Sequence, residues 1–144
     1  MKVHVFIETS LKWPKKGDGI VGIIFTDEED KYSKTLFGQV TDSTEHAAVL
    51  IGISRALDYL GSFDEIHLHM SSNVGYSFKY LERWKSNGFV GSKGTEVKNA
   101  AVWKEIAEKT EGKKVELHVN VFNGYRNWLR NECVMRGRKH GFIL

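Results

Sequence analysis

A chain of 144 residues is enough for one globular domain with an ordinary core. Hydrophobic residues at 41% and charged residues at 27% exclude a disordered or fibrous chain. No apolar run approaches the roughly 20 residues a membrane span needs, so no membrane partner is expected. The formal charge of +3 is too small to name a partner, but its distribution says more. Segment 79–114 holds nine Lys/Arg against five Asp/Glu, a net +4, so the positive excess is local. Cys133 is the single cysteine, which rules out an intrachain disulfide, and the N-terminus lacks a signal peptide's apolar core. A reducing cytoplasm is expected.

Val3, Val5 and Ile7 alternate with His4, Phe6 and Glu8, the pattern of a strand that delivers a carboxylate at its exit. Segment 12–19, with Pro14, Gly17 and Gly19, is a turn, and Ile20-Val21-Gly22-Ile23-Ile24-Phe25 is a second, nearly all-apolar strand. Thr26-Asp27-Glu28-Glu29-Asp30-Lys31 is a charged hairpin turn into a third strand over 32–40, which completes an antiparallel meander. Thr41-Asp42-Ser43-Thr44-Glu45 supplies side chains that cap a helix, whose apolar face is Ala48, Val49, Ile53, Ala56, Leu57 and Leu60 and whose end is Gly61. Glu65-Ile66-His67-Leu68-His69-Met70-Ser71 alternates again; after a helical crossover this fourth strand is expected parallel to the first. Residues 73–84 read as helix, broken by Ser86-Asn87-Gly88; 89–96 is a loop and 97–109 a further helix. A fifth strand over 115–121, a loop over 122–125 and a closing helix over 128–136 finish the chain. The sum is an α/β chain with a five-stranded mixed sheet, a three-strand antiparallel meander plus two parallel strands, and flanking helices.

Several stretches are less generic than this order. Phe6-Ile7-Glu8-Thr9-Ser10 resembles the opening strand motif aromatic-x-Asp-Gly-Ser of type 1 ribonuclease H, with Glu for Asp and Thr for Gly. Thr44-Glu45-His46-x-Ala48 with Gly52 resembles the acid-bearing start of that family's first long helix. Trp84-Lys85-Ser86-Asn87-Gly88-Phe89, then Val97-Lys98-Asn99 and Val102-Trp103, resembles its basic protrusion, here at about 80–100. The resemblance runs from about residue 3 to 136 and implies a single ribonuclease H-like domain over 1–144.

What the resemblance implies is a nuclease that cuts the RNA strand of an RNA/DNA hybrid, with four carboxylates around two divalent cations, Mg²⁺ or Mn²⁺. The four positions fall on Glu8, Glu45, Ser71 and Glu132. Glu45 is the family's own residue, Glu8 and Glu132 are one methylene longer than its aspartates, and Ser71 is not an acid. The cation would rest on Glu8, Glu45 and Glu132. A longer acid at two positions moves the carboxylates by more than the half ångström a catalytic centre tolerates, and a serine leaves positive charge uncompensated. The implied function is therefore a divergent metal-dependent endonuclease with weak or lost activity; the alternative is an inactive module that binds hybrid or double-stranded RNA. The family's Gly-His-x-Gly before the last helix reads Val121-Phe122-Asn123-Gly124, which replaces its histidine by Phe122.

The resemblance assigns nucleic-acid contacts to the basic protrusion, expected from Tyr80 and Trp84 one turn apart, Lys85, Lys93, Lys98 and Asn99, with Ser10 and Asn73 at the strand ends; packing between helices is the other reading of Tyr80 and Trp84. Trp103, by contrast, reads as helix packing. His67 and His69 share one strand face and His4 has the phase of Glu8, so the three could line one face near the acids. Imidazole ligands for Zn²⁺ or Mn²⁺ are one reading, hydrogen-bonded sheet residues away from the acids the other. Nothing marks Cys133 as a reactive thiol, and a monomer is expected.

Overall fold

A computed structural model describes residues 1–28 and 33–141. Five strands, β1 (Lys2–Thr9), β2 (Gly17–Asp27), β3 (Ser33–Ser43), β4 (Glu65–Met70) and β5 (Lys114–Val119), form one sheet in the order β3-β2-β1-β4-β5. The pairs β1–β2 and β2–β3 are antiparallel, and β1–β4 and β4–β5 are parallel. The expected meander with two parallel strands is thus the architecture found. Of the charged turn between β2 and β3, Glu29, Asp30 and Lys31 lie outside the described residues, as does Tyr32.

Period-two alternation divides the sheet into two faces. Val3, Val5 and Ile7 of β1, Ile66, Leu68 and Met70 of β4, and Val115, Leu117 and Val119 of β5 all join the main core. That core is closed by α1 (Glu45–Leu57) and α3 (Ala100–Lys109), whose buried members include Leu50, Ile53, Trp103 and Ile106. The opposite face presents His4, Phe6 and Glu8 from β1. It is only partly covered, by α4 (Arg126–Lys139), through a small cluster of Phe6, Ile24 and Leu129. Two glycines make these layers possible. A Cβ on Gly22 of β2 would stand 2.7 Å from Leu129 and 2.8 Å from Cys133 of α4, and one on Gly52 of α1 would stand 2.7 Å from Val21.

Element ends differ from the sequence reading for local reasons. Thr44 caps α1 by accepting from the Ala47 N–H at 3.1 Å, as its residue type dictates, but α1 ends at Leu57 rather than Gly61. The expected helix over 73–84 is instead a 3-10 helix, Asn73–Tyr80, followed by α2, Leu81–Asn87. The helix expected from 97 starts at Ala100, because Asn99 is left-handed at φ 61. β3 continues to Ser43, past the expected end at Val40, and β5 stops at Val119 rather than Val121. The closing helix is longer than expected at both ends.

Candidate active site and nucleic-acid face

β1 carries Glu8 to its C-terminal end, one residue before the strand stops, and the parallel β4 brings Ser71 alongside it. Ser71 occupies the position where the resemblance placed an acid, and it turns inward to that neighbour. Both Glu8 carboxylate oxygens accept from it: Oε2 from the Ser71 N–H at 3.0 Å and Oε1 from the Ser71 hydroxyl at 2.5 Å. Glu8 is only 4% exposed. Burial holds its carboxyl above the usual carboxylate range, against the two Ser71 hydrogen bonds and the positive fields of Arg130 and Arg126 on α4.

Glu45 opens α1 and is largely buried, with a carboxylate oxygen 3.9 Å from His46 Nε2. Glu132, on α4, faces Arg136 at 3.6 Å. Cys133, next after Glu132, is fully buried and its Sγ lies 3.7 Å from the Glu8 carbonyl oxygen. Burial and the neighbouring carboxylates push the thiol up to about 12, so it is inert, as the sequence indicated. Asp42, the nearest spare acid in sequence, points away into solvent beside Lys16 at 3.7 Å.

The donor set does not fit a two-cation centre. A hard cation needs oxygen ligands converging on one point. Among the described residues, the one trio of His, Cys, Asp or Glu ligand atoms gathered within 4.8 Å of one another is His67, Glu116 and His118, not Glu8, Glu45 and Glu132. Glu8 is engaged on both oxygens by a neutral serine, and the positive fields of Arg130 and Arg126 act on it.

The residues assigned to nucleic-acid contact divide into two groups. Ser10 is buried and its hydroxyl accepts the Ile20 N–H at 3.0 Å, a bond that closes the β1–β2 turn. Trp84 is half-buried against Trp103, ring centres 5.2 Å apart and edge to face. Lys85 binds Glu82 and Glu111, each at 3.3 Å, which holds its ammonium well above the usual lysine range. Part of the basic excess is likewise internal: Lys109 ties Asp58 and Ser54 of the first helical layer, and Lys113 donates to the Leu60, Gly61 and Phe63 carbonyls. Tyr80, Lys93, Lys98 and Asn73 do present themselves outward, and Asn99 is half-exposed. Lys79 and Arg83 flank the Tyr80 ring at 5.1 and 5.5 Å, giving an aromatic surface with two cations.

One member of this surface escaped sequence reasoning. Trp13, in the β1–β2 turn and 51% exposed, stacks on His46 at 4.2 Å with planes 11° apart, and the Lys98 ammonium lies over its ring at 5.3 Å. A tryptophan directly before the chain's one proline, in a turn that should be polar, was the available signal. The stack joins the turn, the start of α1 and the protrusion next to Glu45. Beside it, Lys16, Arg55, Lys98 and Asn99 line a polar hollow of about 570 Å³.

Four histidines cover the remainder of this sheet face. His4 Nδ1 is 2.9 Å from His69 Nε2, and His67 Nδ1 is 2.9 Å from His118 Nε2. His69 is stacked between Phe6 and His118, both at 4.4 Å. Burial first, then the neighbouring rings, pushes His69 down to about 3 and also lowers His4. The phase read from the sequence is right, since His4, His67 and His69 do share a face. His118 and Glu116 were missed, because their place beside β4 depends on the register of β5.

A mixed five-stranded sheet with this strand order, an acid at the exit of the first strand and another at the start of the first helix defines a ribonuclease H-like protein. Sequence relatives agree. The chain is 34% identical over 88 residues to "Ribonuclease H" of Chelativorans sp., a match spanning 59% of this chain and 54%, about half, of that relative. It is 28% identical over 120 residues to "Ribonuclease H" of Acetivibrio thermocellus, covering 81% of this chain and 80% of that one. Among solved structures, RNase H1 of the halophilic archaeon Halobacterium salinarum superposes with a TM-score of 0.65 at 15% identity, covering 94% of this chain and 99% of the other. LC11-RNase H1, solved in complex with RNA/DNA hybrid, superposes with a TM-score of 0.63 at 17% identity over 94% and 99% of the two chains. No family model matches. By these comparisons the chain has the ribonuclease H-like fold and is similar in sequence to proteins named Ribonuclease H.

Proposed function

We propose that this protein binds RNA/DNA hybrid and cuts the RNA strand weakly or not at all. The observation that carries this reading is the closed Glu8–Ser71 pair. A serine that donates twice to the first acid uses that carboxylate as an acceptor, where the family's chemistry uses it as a metal ligand. Glu8, Glu45 and Glu132 are the acids left to hold a Mg²⁺ or Mn²⁺, and their ligand atoms do not gather on one point, which fits weak or absent cleavage.

The binding half rests on the outward aromatic and basic groups. Trp13 and Tyr80 offer π faces, and Lys79, Arg83, Lys93 and Lys98 offer phosphate contacts without base preference. The hybrid bound by LC11-RNase H1, a protein of the same fold, supports the choice of ligand. A second reading, binding of hybrid or double-stranded RNA with no chemistry, is favoured by Arg126 and Arg130, whose positive fields fall on Glu8 where a nuclease would bring cations. A cytoplasmic monomer belongs to both readings.

The test is one labelled hybrid, assayed for binding by anisotropy and for cleavage with Mg²⁺ and with Mn²⁺, beside a Glu8→Ala, Glu45→Ala double variant. Slow cleavage abolished by the double variant supports the nuclease reading. Binding without cleavage supports the module. Brisk cleavage that survives the double variant overturns the assignment of these acids, and absence of binding overturns both readings.

A further inference from the structure

At the β4–β5 edge, away from the acids, three ligand atoms converge: His67 Nδ1, His118 Nε2 and a Glu116 carboxylate oxygen. Parallel register places Glu116 directly beside His67, and the two-residue strand period sets His118 on the same face. His67 Nδ1 is 2.9 Å from His118 Nε2 and 3.3 Å from Glu116 Oε2. A tetrahedral zinc ion with bonds of about 2.0–2.1 Å holds its ligand atoms about 3.3 Å apart, so both edges are already near coordination spacing.

The far side of His67 strengthens the case. Its Nε2 lies 2.6 Å from Glu65 Oε2, on the same strand and face. A carboxylate there places the ring proton on Nε2 and turns the Nδ1 lone pair toward His118 and Glu116. Carboxylate behind imidazole is the arrangement that orients metal-bound histidines and raises their basicity. With that tautomer, Nδ1 and the Glu116 oxygen are two acceptors facing each other, and His118 can offer a proton to only one of them. A positive centre resolves the conflict.

We propose that His67, Glu116 and His118 form a transition-metal site, with Zn²⁺ the best-matched ion and Glu65 as the positioning carboxylate. Two imidazoles and one carboxylate select Zn²⁺ over Mg²⁺, whose preference is for oxygen. His67 is buried and preset, while the Glu116 side chain is half-exposed, which gives the ion a route in and leaves a fourth position for water. The site is separate from the acid end, because His67 precedes Ser71 by four residues on one strand, about 13 Å. Its structural effect is to clamp the edge strand β5 to β4.

The experiment uses tag-free, chelator-treated protein titrated with Zn²⁺ by calorimetry, with melting temperature and, in Co²⁺, visible absorption as further readouts. One Zn²⁺ per chain, a raised melting temperature and a tetrahedral Co²⁺ spectrum are expected. His118→Ala and Glu116→Gln, both at accessible edge-strand positions and checked for fold by circular dichroism, should each lose the response. Glu65→Gln should weaken affinity about 10- to 100-fold with stoichiometry unchanged. Glu45→Ala, at the acid end, should leave zinc binding as it was. Absence of zinc binding in the parent chain, as a proton in place of the metal would give, overturns the proposal. So does a response that persists in His118→Ala and Glu116→Gln.

Discussion

The two ends of one sheet face solve the same problem in opposite ways. At the acid end, a buried carboxylate is held by a single neutral partner, Ser71, which satisfies both oxygens. At the histidine end, His4 pairs with His69, while His67 meets Glu65 on one side and both His118 and Glu116 of the edge strand on the other. The first arrangement leaves little for a cation to gain by binding. The second gathers lone pairs on one point. Polar groups on the same strands therefore differ in what they invite, and the difference lies in neighbours rather than in residue type.

Phe6 joins the two ends, stacked on His69 at 4.4 Å and tilted against Tyr125 at 4.7 Å, with Leu129 packed near it. Phe6→Ala should break the comparison altogether by loosening both ends, at a cost of about 3–5 kcal/mol in urea unfolding. A loss below about 1 kcal/mol would mean that the ends are independent.

Ser71→Ala tests the acid end alone. It removes the hydroxyl donor and leaves a buried charge with one partner fewer, so a loss of about 1–3 kcal/mol at pH 7 is expected. The sign with pH follows from the raised Glu8 carboxyl. A raised folded value favours the protonated form, so its stabilising share is present below the unfolded value and is lost as pH rises through the folded one. The variant's deficit should accordingly shrink in mild acid, and a deficit independent of pH would show that the hydroxyl is not serving the carboxylate.

The histidine end answers to pH in the other direction. His69, held down at about 3, stays neutral where an unfolded histidine is charged, so stability should fall as pH drops below about 6.5, by at most about 1.4 kcal/mol per unit for this ring. Imidazole nitrogen shifts recorded between pH 7 and 4.5 provide the check: a His69 ring that titrates near 6 would refute the packing described. The smallest effect belongs to the rim. Lys98→Ala, removing the cation over Trp13, should lower the salt dependence of hybrid binding by about one unit of slope, while Trp13→Ala should weaken binding with the slope intact. An unchanged slope would remove Lys98 from the phosphate contacts.

Much of this molecule was legible before any coordinates. Alternation in Val3-His4-Val5-Phe6-Ile7-Glu8 and in 65–71 assigned strands and faces correctly, since side-chain period is a property of the strand itself. A capping side chain within Thr41-Asp42-Ser43-Thr44-Glu45 followed from local hydrogen bonding, though not which of them, and the meander with its parallel partners followed from element order. Trp103 read as core, and is. Residues 73–84 read as one helix and are two, because propensity does not separate a 3-10 turn from an α-helical one.

What the chain alone determined, then, is which residues lie on which face. Only tertiary structure decided how the residues of those faces are used. That Ser71 donates to Glu8, that Trp13 covers His46, that Lys85 is occupied by Glu111, and that Glu116 and His118 meet His67 all depend on registers between strands and on approaches across 26 to 63 residues of sequence. The physical reason is range. Period and capping are set by neighbours a few bonds away, whereas a hydrogen bond or a ligand set is made at 3 Å by groups that only the packed sheet brings together.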